Sequence, residues 1–230
     1  MGSRRLPGKV MMPLAGRPII WHIFDRLSRT IGVRGVILAT THDPRNDAMV
    51  HYAEDLGMTV FRAEVEDDIA ARLAGAVRMT GAHAILKVNG DCPLIDPGIL
   101  QHMVECYVSE PNVDYVSNKL VFRYPLGLSA EVVSQRALNW CDDNLSGAHA
   151  REYVADWIKA HPEPFRAVSV TGGQDLSHHD WSVDTPEDFS FVGRIFDALY
   201  QDGKIFGLAD VLEFLADAPA FERPAAESAG

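Results

Sequence analysis

The stretch Ala84-Ile85-Leu86-Lys87-Val88-Asn89-Gly90-Asp91-Cys92-Pro93-Leu94 decides the fold of this chain. Its apolar run, 84–88, predicts a buried β-strand that ends at Asn89-Gly90-Asp91. Open α/β sheets bind ligands at the carboxyl ends of their strands, which places Asp91 at a binding edge. A carboxylate there suits a hard cation such as Mg²⁺ that carries a nucleotide's phosphates. The alternative is that Asp91 only caps the helix predicted from about Pro97.

Strands and helices alternate on both sides of this stretch. Short apolar runs at 36–39 and 59–61 predict strands, and apolar residues at helical spacing predict helices over 19–27, 48–56, 68–79 and 97–109. This alternation predicts an α/β protein with a mainly parallel sheet between two helical layers. The pattern breaks over 118–161, where we predict a strand over 128–134 and helices over 135–143 and 148–160. We interpret this region as a small insertion that covers the site or forms a dimer contact. We expect one domain over 1–217 and a disordered Ala/Pro/Glu tail over 218–230.

Composition excludes several classes of protein. The net charge of -11 argues against a general nucleic-acid binder, whose surface should be basic. No apolar run approaches the roughly 18–20 residues that a membrane-spanning helix needs, and the first residues lack the long apolar core of a signal peptide. The three cysteines are odd in number and widely spaced, which is typical of free thiols in a reducing cytoplasm rather than of a zinc site.

The first nine residues, Met-Gly-Ser-Arg-Arg-Leu-Pro-Gly-Lys, predict a loop rich in glycine and cations. Glycines free backbone N–H groups to face phosphate oxygens, and Arg4, Arg5 and Lys9 add positive charge. The spacing is not that of a Walker loop. An ordinary basic terminus is the alternative.

A second acidic position lies near the end of the chain. Trp181-Ser182-Val183 predicts a short strand, and Thr185-Pro186-Glu187-Asp188 predicts a capped helix start. Asp184 lies between them, so it could share one Mg²⁺ with Asp91 if the two strand ends are neighbours. Alternatively Asp184 joins the helix cap, although Asp188 alone could suffice for that.

Two further features have simpler explanations. His178-His179 could suggest a metal pair, but adjacent side chains rarely point at one ion, and a loop is the better interpretation. Cys92 could suggest a nucleophile, but no histidine is fixed near it in sequence, and a small buried thiol is favoured.

Three motifs follow one another in the chain: Gly2-Ser3-x-Arg5-Leu6-Pro7-Gly8-Lys9, Gly90-Asp91-x-Pro93-Leu94-Ile95 and Val183-Asp184-Thr185-Pro186-Glu187-Asp188. Together they resemble those of the sugar cytidylyltransferases that activate 3-deoxy-manno-octulosonate, acylneuraminates and related nonulosonates. The spore-coat-polysaccharide branch is the most similar, and Tyr124-Pro125-x-Gly127-Leu128 also fits it. The likeness extends to about Leu215.

The resemblance implies a Rossmann-like nucleotide-diphospho-sugar transferase fold and the reaction CTP + sugar → CMP-sugar + pyrophosphate. It implies that Lys9 and Arg5 are the catalytic cations on the triphosphate and that Asp91 and Asp184 hold Mg²⁺. The other implied contacts are Gly2, Ser3, Thr40, Arg72 and Asn89 for the nucleotide, and Tyr124, Glu131, Arg151 and Glu152 for the acceptor sugar. The implied partners are CTP, a sugar and a second copy of the chain, with no nucleic acid and no membrane.

This chemistry needs no covalent nucleophile. Attack on the α-phosphorus requires neutralised charge on the phosphoryl oxygens and on the pyrophosphate leaving group, which cations supply. Correct positioning of the two reactants contributes most of the remaining rate enhancement.

The sequence departs from the family in two places. Family members carry a central β-strand before the Gly-Ser, whereas this sequence begins at the Met of that motif. We favour a start farther upstream over a truncated copy with a damaged phosphate site; loss of the strand would expose the edges of its neighbours. Ser129 stands where the branch usually has an acidic residue, so a different sugar pocket is expected.

The leading hypothesis is a cytoplasmic, Mg²⁺-dependent cytidylyltransferase that makes an activated sugar for surface polysaccharide. One rival is an enzyme of the same fold that uses UTP, GTP or ATP. The other is a non-catalytic relative that only binds sugar nucleotides.

Overall fold

The computed structural model describes residues 5–161 and 163–217. The strands are β1 (Pro13–Leu14), β2 (Arg17–Pro18), β3 (Ile37–Thr41), β4 (Thr59–Ala63), β5 (Ala84–Val88), β6 (Tyr115–Ser117), β7 (Ala130–Ser134) and β8 (Ala167–Ser169). The helices are α1 (Ile19–Ser28), α2 (Asp47–Asp55), α3 (Ile69–Thr80), α4 (Pro97–Ser109), α5 (Gln135–Asn144), α6 (Ala148–Glu152), α7 (Val154–Ala160), α8 (Pro186–Leu199) and α9 (Leu208–Asp217). Turns of 3-10 helix cover Lys9–Met11 and Pro44–Asn46.

Helix starts follow local capping chemistry. The Asp96 carboxylate accepts hydrogen bonds from the backbone N–H groups of Gly98 and Ile99, so α4 begins at Pro97 as predicted. Asp68 caps α3 by accepting from the Ala71 N–H at 2.9 Å. These caps satisfy N–H groups that have no partner inside the helix.

The sheet is mixed. β3 and β4 form a parallel pair, and a second sheet has the order β5-β7-β6-β8. β7 runs antiparallel to both β5 and β6, whereas β6 and β8 are parallel. The α/β fold class is therefore confirmed, but β7 makes the larger sheet mixed rather than mainly parallel. The region 118–161, predicted as an insertion, supplies β7 as well as α5, α6 and α7; its role at the sugar site or in a dimer stays a prediction.

A cleft of about 1340 Å³ is lined by both β3 and β5. Within residues 5–161 and 163–217, each of these strands pairs on one side only, β3 with β4 and β5 with β7. A strand inside a sheet with helices on both faces is normally buried, yet all five residues of β5 are partly exposed. Apolar side chains of α1, Ile20 and Ile23 among them, face the same space.

Two main cores hold the layers together. One packs α8 and α9 against Leu14, Trp181 and Val183. The other joins α3 and α5 to Tyr115 and Phe165. The loop after β5 contributes Leu94 to the first of these cores.

A buried arginine fixes this loop. Arg26 of α1 donates to the carbonyl oxygens of Ile95 at 3.2 Å and Phe206 at 2.8 Å, and its guanidinium lies over the Phe206 ring. Burial lowers the pKa of Arg26 to about 10. Asp96 also accepts from the Leu208 N–H at 2.7 Å. The loop 89–96 is thereby attached to α1 and to the start of α9.

Three local predictions need correction. Trp181–Val183 is not a strand; one bridge between Leu126 and Asp180 is the nearest pairing. The helix predicted over 148–160 is divided at Tyr153 into α6 and α7. The β8 strand was not predicted, because three residues carry too little periodicity.

No helix in the described part of the chain has the length and apolar character that crossing a membrane requires. The disorder predicted for 218–230 concerns residues outside the described ranges.

The free edges of β3 and β5 give a testable prediction. Their amides that do not bond to β4 or β7 should exchange with solvent about tenfold faster than the paired amides of the same strands, because exchange follows local opening and exposure. Hydrogen exchange resolved by NMR measures this. Joining an apolar six-residue strand ahead of Met1 should slow exchange of these amides, whereas the same segment with a central proline should not. Equally slow exchange of both sets in the unextended chain would contradict the open edges.

Candidate functional site

Lys9 lies between two carboxylates that are far apart in sequence. Its Nζ donates to Asp184 Oδ1 at 2.8 Å and to Asp91 Oδ2 at 3.2 Å. Arg5 Nη2 approaches Asp184 Oδ2 at 2.9 Å. The Lys9 side chain is 11% exposed and that of Arg5 is 66% exposed, so one cation is enclosed and the other faces solvent. The four residues predicted to hold phosphates and metal therefore form one cluster.

Backbone contacts bring the two acidic loops together. The Val183 N–H donates to the Asp91 carbonyl oxygen at 2.9 Å, which places Asp184 beside the end of β5. Gly90 allows the 3-10 turn to approach, since a Cβ at that position would lie 3.2 Å from Val10 Cγ1. Gly8 precedes this turn with φ 72°, a conformation that favours glycine.

The Asp184 carboxylate takes no part in the N-terminal cap of α8. Thr185 accepts from the Asp188 N–H, and Asp188 Oδ2 accepts from the N–H groups of Asp184 and Thr185, both at 2.9 Å. This is a complete capping box. The alternative in which the Asp184 side chain caps α8 is therefore excluded, and both of its oxygens contact cations.

The charges around Asp184 shift its titration. Burial alone would raise the pKa of the Asp184 carboxyl, but the hydrogen bond and charge of Lys9, with the charge of Arg5, lower it below its ordinary value. The carboxylate stays ionised at neutral pH and is available to a cation.

The pair of carboxylates fits a divalent cation. Because one ammonium nitrogen contacts both, the two oxygens are no farther apart than the sum of its two hydrogen bonds. Mg²⁺ is commonly held by one or two carboxylates together with substrate phosphates rather than by an all-protein cage. In keeping with this, the described residues contain no group of three or more His, Cys, Asp or Glu side chains placed to hold a metal.

Several predicted nucleotide and sugar contacts line the cleft beside this cluster: Thr40, Arg72, Asn89, Glu131 and Glu152. Thr40 is buried on β3, and Arg72 donates to the Glu66 carbonyl oxygen at 3.1 Å. Burial lowers the pKa of Arg72, against the opposing effect of the carboxylates of Glu66, Asp67 and Asp68. Their roles in binding stay predictions.

Arg151 and Tyr124 are not among the residues that line this cleft. Arg151 donates to Asp68 Oδ2 at 2.9 Å and Asp142 Oδ1 at 2.8 Å, as well as to two carbonyl oxygens. It therefore connects the start of α3 to the end of α5. Tyr124 packs its ring over Gly172, where a Cβ would lie 3.2 Å from the ring. Gly2 and Ser3 lie outside the described residues.

One residue at the cleft was missed in the sequence. Lys87 of β5 lines the cleft and donates to Glu131 Oε2 at 2.9 Å. A lysine inside the apolar run 84–88 was the available signal, because a charge in a covered strand requires a partner.

Cys92 has the surroundings that the simpler interpretation, a small buried thiol, predicts. Cys92 is buried, and its thiol lies 3.3 Å from Asp91 Oδ1 as a hydrogen-bond donor. Burial, with the charge of Asp91, raises the pKa of Cys92, so the thiol stays protonated and is no nucleophile. Ser129 Oγ is buried and has no hydrogen-bond partner within the described ranges.

Comparison with known proteins gives a consistent picture. A family profile described as "Cytidylyltransferase" matches residues 1–202. An uncharacterized protein of Methanocaldococcus jannaschii is 30% identical over 223 residues, 95% of this chain and 88% of that protein. The spore coat polysaccharide biosynthesis protein SpsF of Bacillus subtilis is 26% identical, with 85% and 82% covered. The 3-deoxy-manno-octulosonate cytidylyltransferase 2 of Hydrogenovibrio crunogenus is 33% identical, with 45% and 42% covered.

Solved structures are similar over most of the chain. A cytidylyltransferase from Leptospira borgpetersenii has a TM-score of 0.89 at 25% identity, with 96% of this chain and 92% of that chain covered. CMP:2-keto-3-deoxy-manno-octonic acid synthetase complexed with CTP has a TM-score of 0.65 at 17% identity, with 85% and 94% covered. A manganese complex of a Mycobacterium tuberculosis protein has a TM-score of 0.57 at 20% identity, with 83% and 94% covered. The predicted Rossmann-like nucleotidyltransferase fold is confirmed.

The lowered pKa of Asp184 predicts a pH-dependent contribution to stability. A carboxyl group with a lowered pKa stabilises the fold fully above its ordinary value near 3.8, and this contribution is lost as the pH falls through the lowered pKa. Asp184→Asn should lower the melting temperature at pH 7 by about 2–4 °C, since a partly exposed ion pair contributes up to about 1 kcal/mol.

Thermal melts of both proteins between pH 7 and pH 2 check this, and the difference should shrink toward the acid end. The control is Asp197→Asn on the exposed face of α8, which should melt like the wild type throughout. A difference for Asp184→Asn that grows with falling pH would contradict the assignment.

Proposed function

The chain belongs to the cytidylyltransferase family, and on this premise we propose that it transfers CMP from CTP to an acidic sugar with release of pyrophosphate. The observation that carries the proposal is the cluster at the end of β5, where Lys9 bridges Asp91 and Asp184. It combines cations for a triphosphate with two carboxylates for a metal. The family relationship makes the chain an enzyme of the nucleotidyltransferase class.

In the proposed mechanism, the chain's own residues bind and orient the triphosphate. Asp91 and Asp184 would hold Mg²⁺, which supplies neutralisation of charge on the phosphoryl oxygens when bound. Lys9 and Arg5 exchange contacts with the carboxylates for contacts with phosphate oxygens, so their charges stabilise the pyrophosphate as it leaves. Asn89 and Arg72 line the adjoining cleft, where the nucleotide would be oriented. A hydroxyl oxygen of the sugar attacks the α-phosphorus, the bond from the α-phosphorus to the bridging oxygen of pyrophosphate breaks, and the hydroxyl proton is released to solvent.

The choice of an acidic acceptor is supported by charge. The protein has a net charge of -11, whereas the cleft has more cations than anions: it is lined by Arg34, Arg72, Lys87 and Lys119 and by Glu131, Glu152 and Asp156. Local cations in an acidic protein favour an anionic ligand at that place. The names of two relatives, a 3-deoxy-manno-octulosonate cytidylyltransferase and a spore coat polysaccharide biosynthesis protein, point to sugar acids and to surface polysaccharide.

We also propose a cytoplasmic homodimer. Cys92, Cys106 and Cys141 are free thiols, which fits a reducing compartment. The loop before β7 exposes Val121, Phe122 and Leu126, and an apolar cluster of this kind favours contact with a second copy.

Calorimetric titration with CTP, UTP, GTP and ATP, each with Mg²⁺, tests the proposal. We expect saturable binding that is at least tenfold tighter for CTP than for the other three. Preference for another nucleotide would identify the rival enzyme of the same fold. A folded protein that binds none of the four would support the non-catalytic relative.

Loss of one metal-binding carboxylate should stop turnover. Asp91→Asn should reduce kcat for pyrophosphate release by about a hundredfold or more, because charge stabilisation in the transition state is lost. The fold should remain intact, since the Asp91 backbone contact to Val183 does not involve the side chain. Circular dichroism checks the fold, and Asp197→Asn serves as the control with unchanged turnover. Unchanged turnover in Asp91→Asn would refute the metal assignment.

A further inference from the structure

Lys87 is a charged residue in the middle of an otherwise apolar strand. It lies directly opposite Glu131 of β7 in the strand register, and the two side chains form an ion pair at 2.9 Å. The Glu131 side chain is 5% exposed, whereas that of Lys87 is 27% exposed. The pair is therefore asymmetric: the carboxylate is enclosed and the ammonium faces the cleft.

Both carboxylate oxygens of Glu131 already have partners. Oε2 accepts from Lys87, and Oε1 accepts from the buried Tyr115 hydroxyl at 3.0 Å. Burial, together with the charge of Glu131, raises the pKa of Tyr115, so this hydroxyl remains a donor. A direct contact between Glu131 and the sugar would require one of these bonds to be given up.

The Lys87 ammonium has donors to spare. An ammonium group carries three N–H donors, and Glu131 engages one of them. Lys87, Asn89 and Asp91 follow one another at intervals of two residues. Lys87 and Asn89 line the same cleft. At about 3.3 Å per residue, Lys87 lies within about 13 Å of Asp91. The α-phosphate and the sugar acid together can span that distance, because the carboxylate and the anomeric hydroxyl of such an acid are bonded to the same carbon atom and the hydroxyl faces the phosphate.

A buried ion pair is weak evidence for a contribution to stability. Removing two charges from water is costly, and apolar replacements of similar volume are often neutral or stabilising. The opposite faces of the same strands pack apolar side chains such as Leu86, Ala130 and Val132. A lysine held in place at a cleft wall by a buried carboxylate therefore suggests a binding role.

We propose that Lys87 binds the carboxylate of the acidic acceptor sugar and that Glu131 is the positioning residue that holds Lys87 in place. This inference rests on the proposed function and assigns the acceptor contact to Lys87 instead of Glu131. The ammonium fixes the acid end of the sugar, and the fixed end directs the attacking hydroxyl toward the phosphate cluster.

The test compares wild type, Lys87→Met and Lys87→Arg. Binding of 3-deoxy-manno-octulosonate and N-acetylneuraminate is measured by calorimetry without Mg²⁺, and pyrophosphate release is measured with CTP and Mg²⁺. We expect Lys87→Met to weaken binding of the preferred acid at least thirtyfold and to raise its KM by a similar factor. Its KM for CTP should change less than twofold and its kcat less than threefold. Lys87→Arg should retain binding within fivefold, and the exposed Lys159→Met is the matched control.

Glu131→Gln separates positioning from a merely structural role. It should raise KM for the acid less than Lys87→Met does, leave KM for CTP unchanged and add no further loss in the Lys87→Met background. Equal losses for CTP and acid would indicate general damage and overturn the positioning role. CTP binding by calorimetry identifies any variant that fails to fold.

Failure of this inference is distinguishable from failure of the proposed function. Unchanged acid binding in Lys87→Met, or no acid binding by the wild type, overturns the role of Lys87. A large rise in KM for CTP alone would assign Lys87 to the nucleotide and would overturn it as well. Acid binding that depends on Lys87 supports the inference even if CTP is not turned over, and in that case only the proposed function fails.

Discussion

The contact of one ammonium group with two carboxylates organises the functional part of this molecule. Lys9, Asp91 and Asp184 come from the start, the middle and the end of the chain, and their charges draw three loops to one point. The backbone bond from Val183 to Asp91 reinforces the same junction. Because unpaired charges at a partly enclosed site are costly, the cluster is balanced by two cations and two anions. In the proposed mechanism, the two cations of this cluster exchange their internal contacts for contacts with the ligand.

Helices and strands could be predicted from the sequence where the residues that determine them lie close together in the chain. The strand Ala84–Val88 and the helix Pro97–Ser109 have the predicted bounds, since apolar runs, prolines and capping carboxylates act within a few residues. Strand pairing could not be read in this way. β7 lies antiparallel between β5 and β6, and its pairing with β5 joins residues more than 40 positions apart, so no local pattern encodes its direction.

The same distinction between local and long-range determinants applies to the candidate site. The motifs around Lys9, Asp91 and Asp184 predicted a shared cluster, and the structure brings these residues together. The family pattern assigned Arg151 and Glu131 to the sugar, but both side chains are occupied by internal partners that only the fold reveals. The sequence shows Lys87 as a charged residue in an apolar strand, but it does not show that Glu131 lies opposite Lys87 in the neighbouring strand. Sequence thus identifies chemistry-bearing residues better than it identifies what each one touches.

The loop after β5 is held in part by contacts with Phe206 and Leu208. These contacts show how much of the chain supports the candidate site. The family match stops at residue 202, before both of these contacts. A fragment cut at that boundary would retain Lys9, Asp91 and Asp184 while losing the carbonyl that Arg26 binds and the helix start that Asp96 contacts. The contacts that hold the loop 89–96 therefore extend beyond the segment that the family profile matches, and the start of α9 supports this loop.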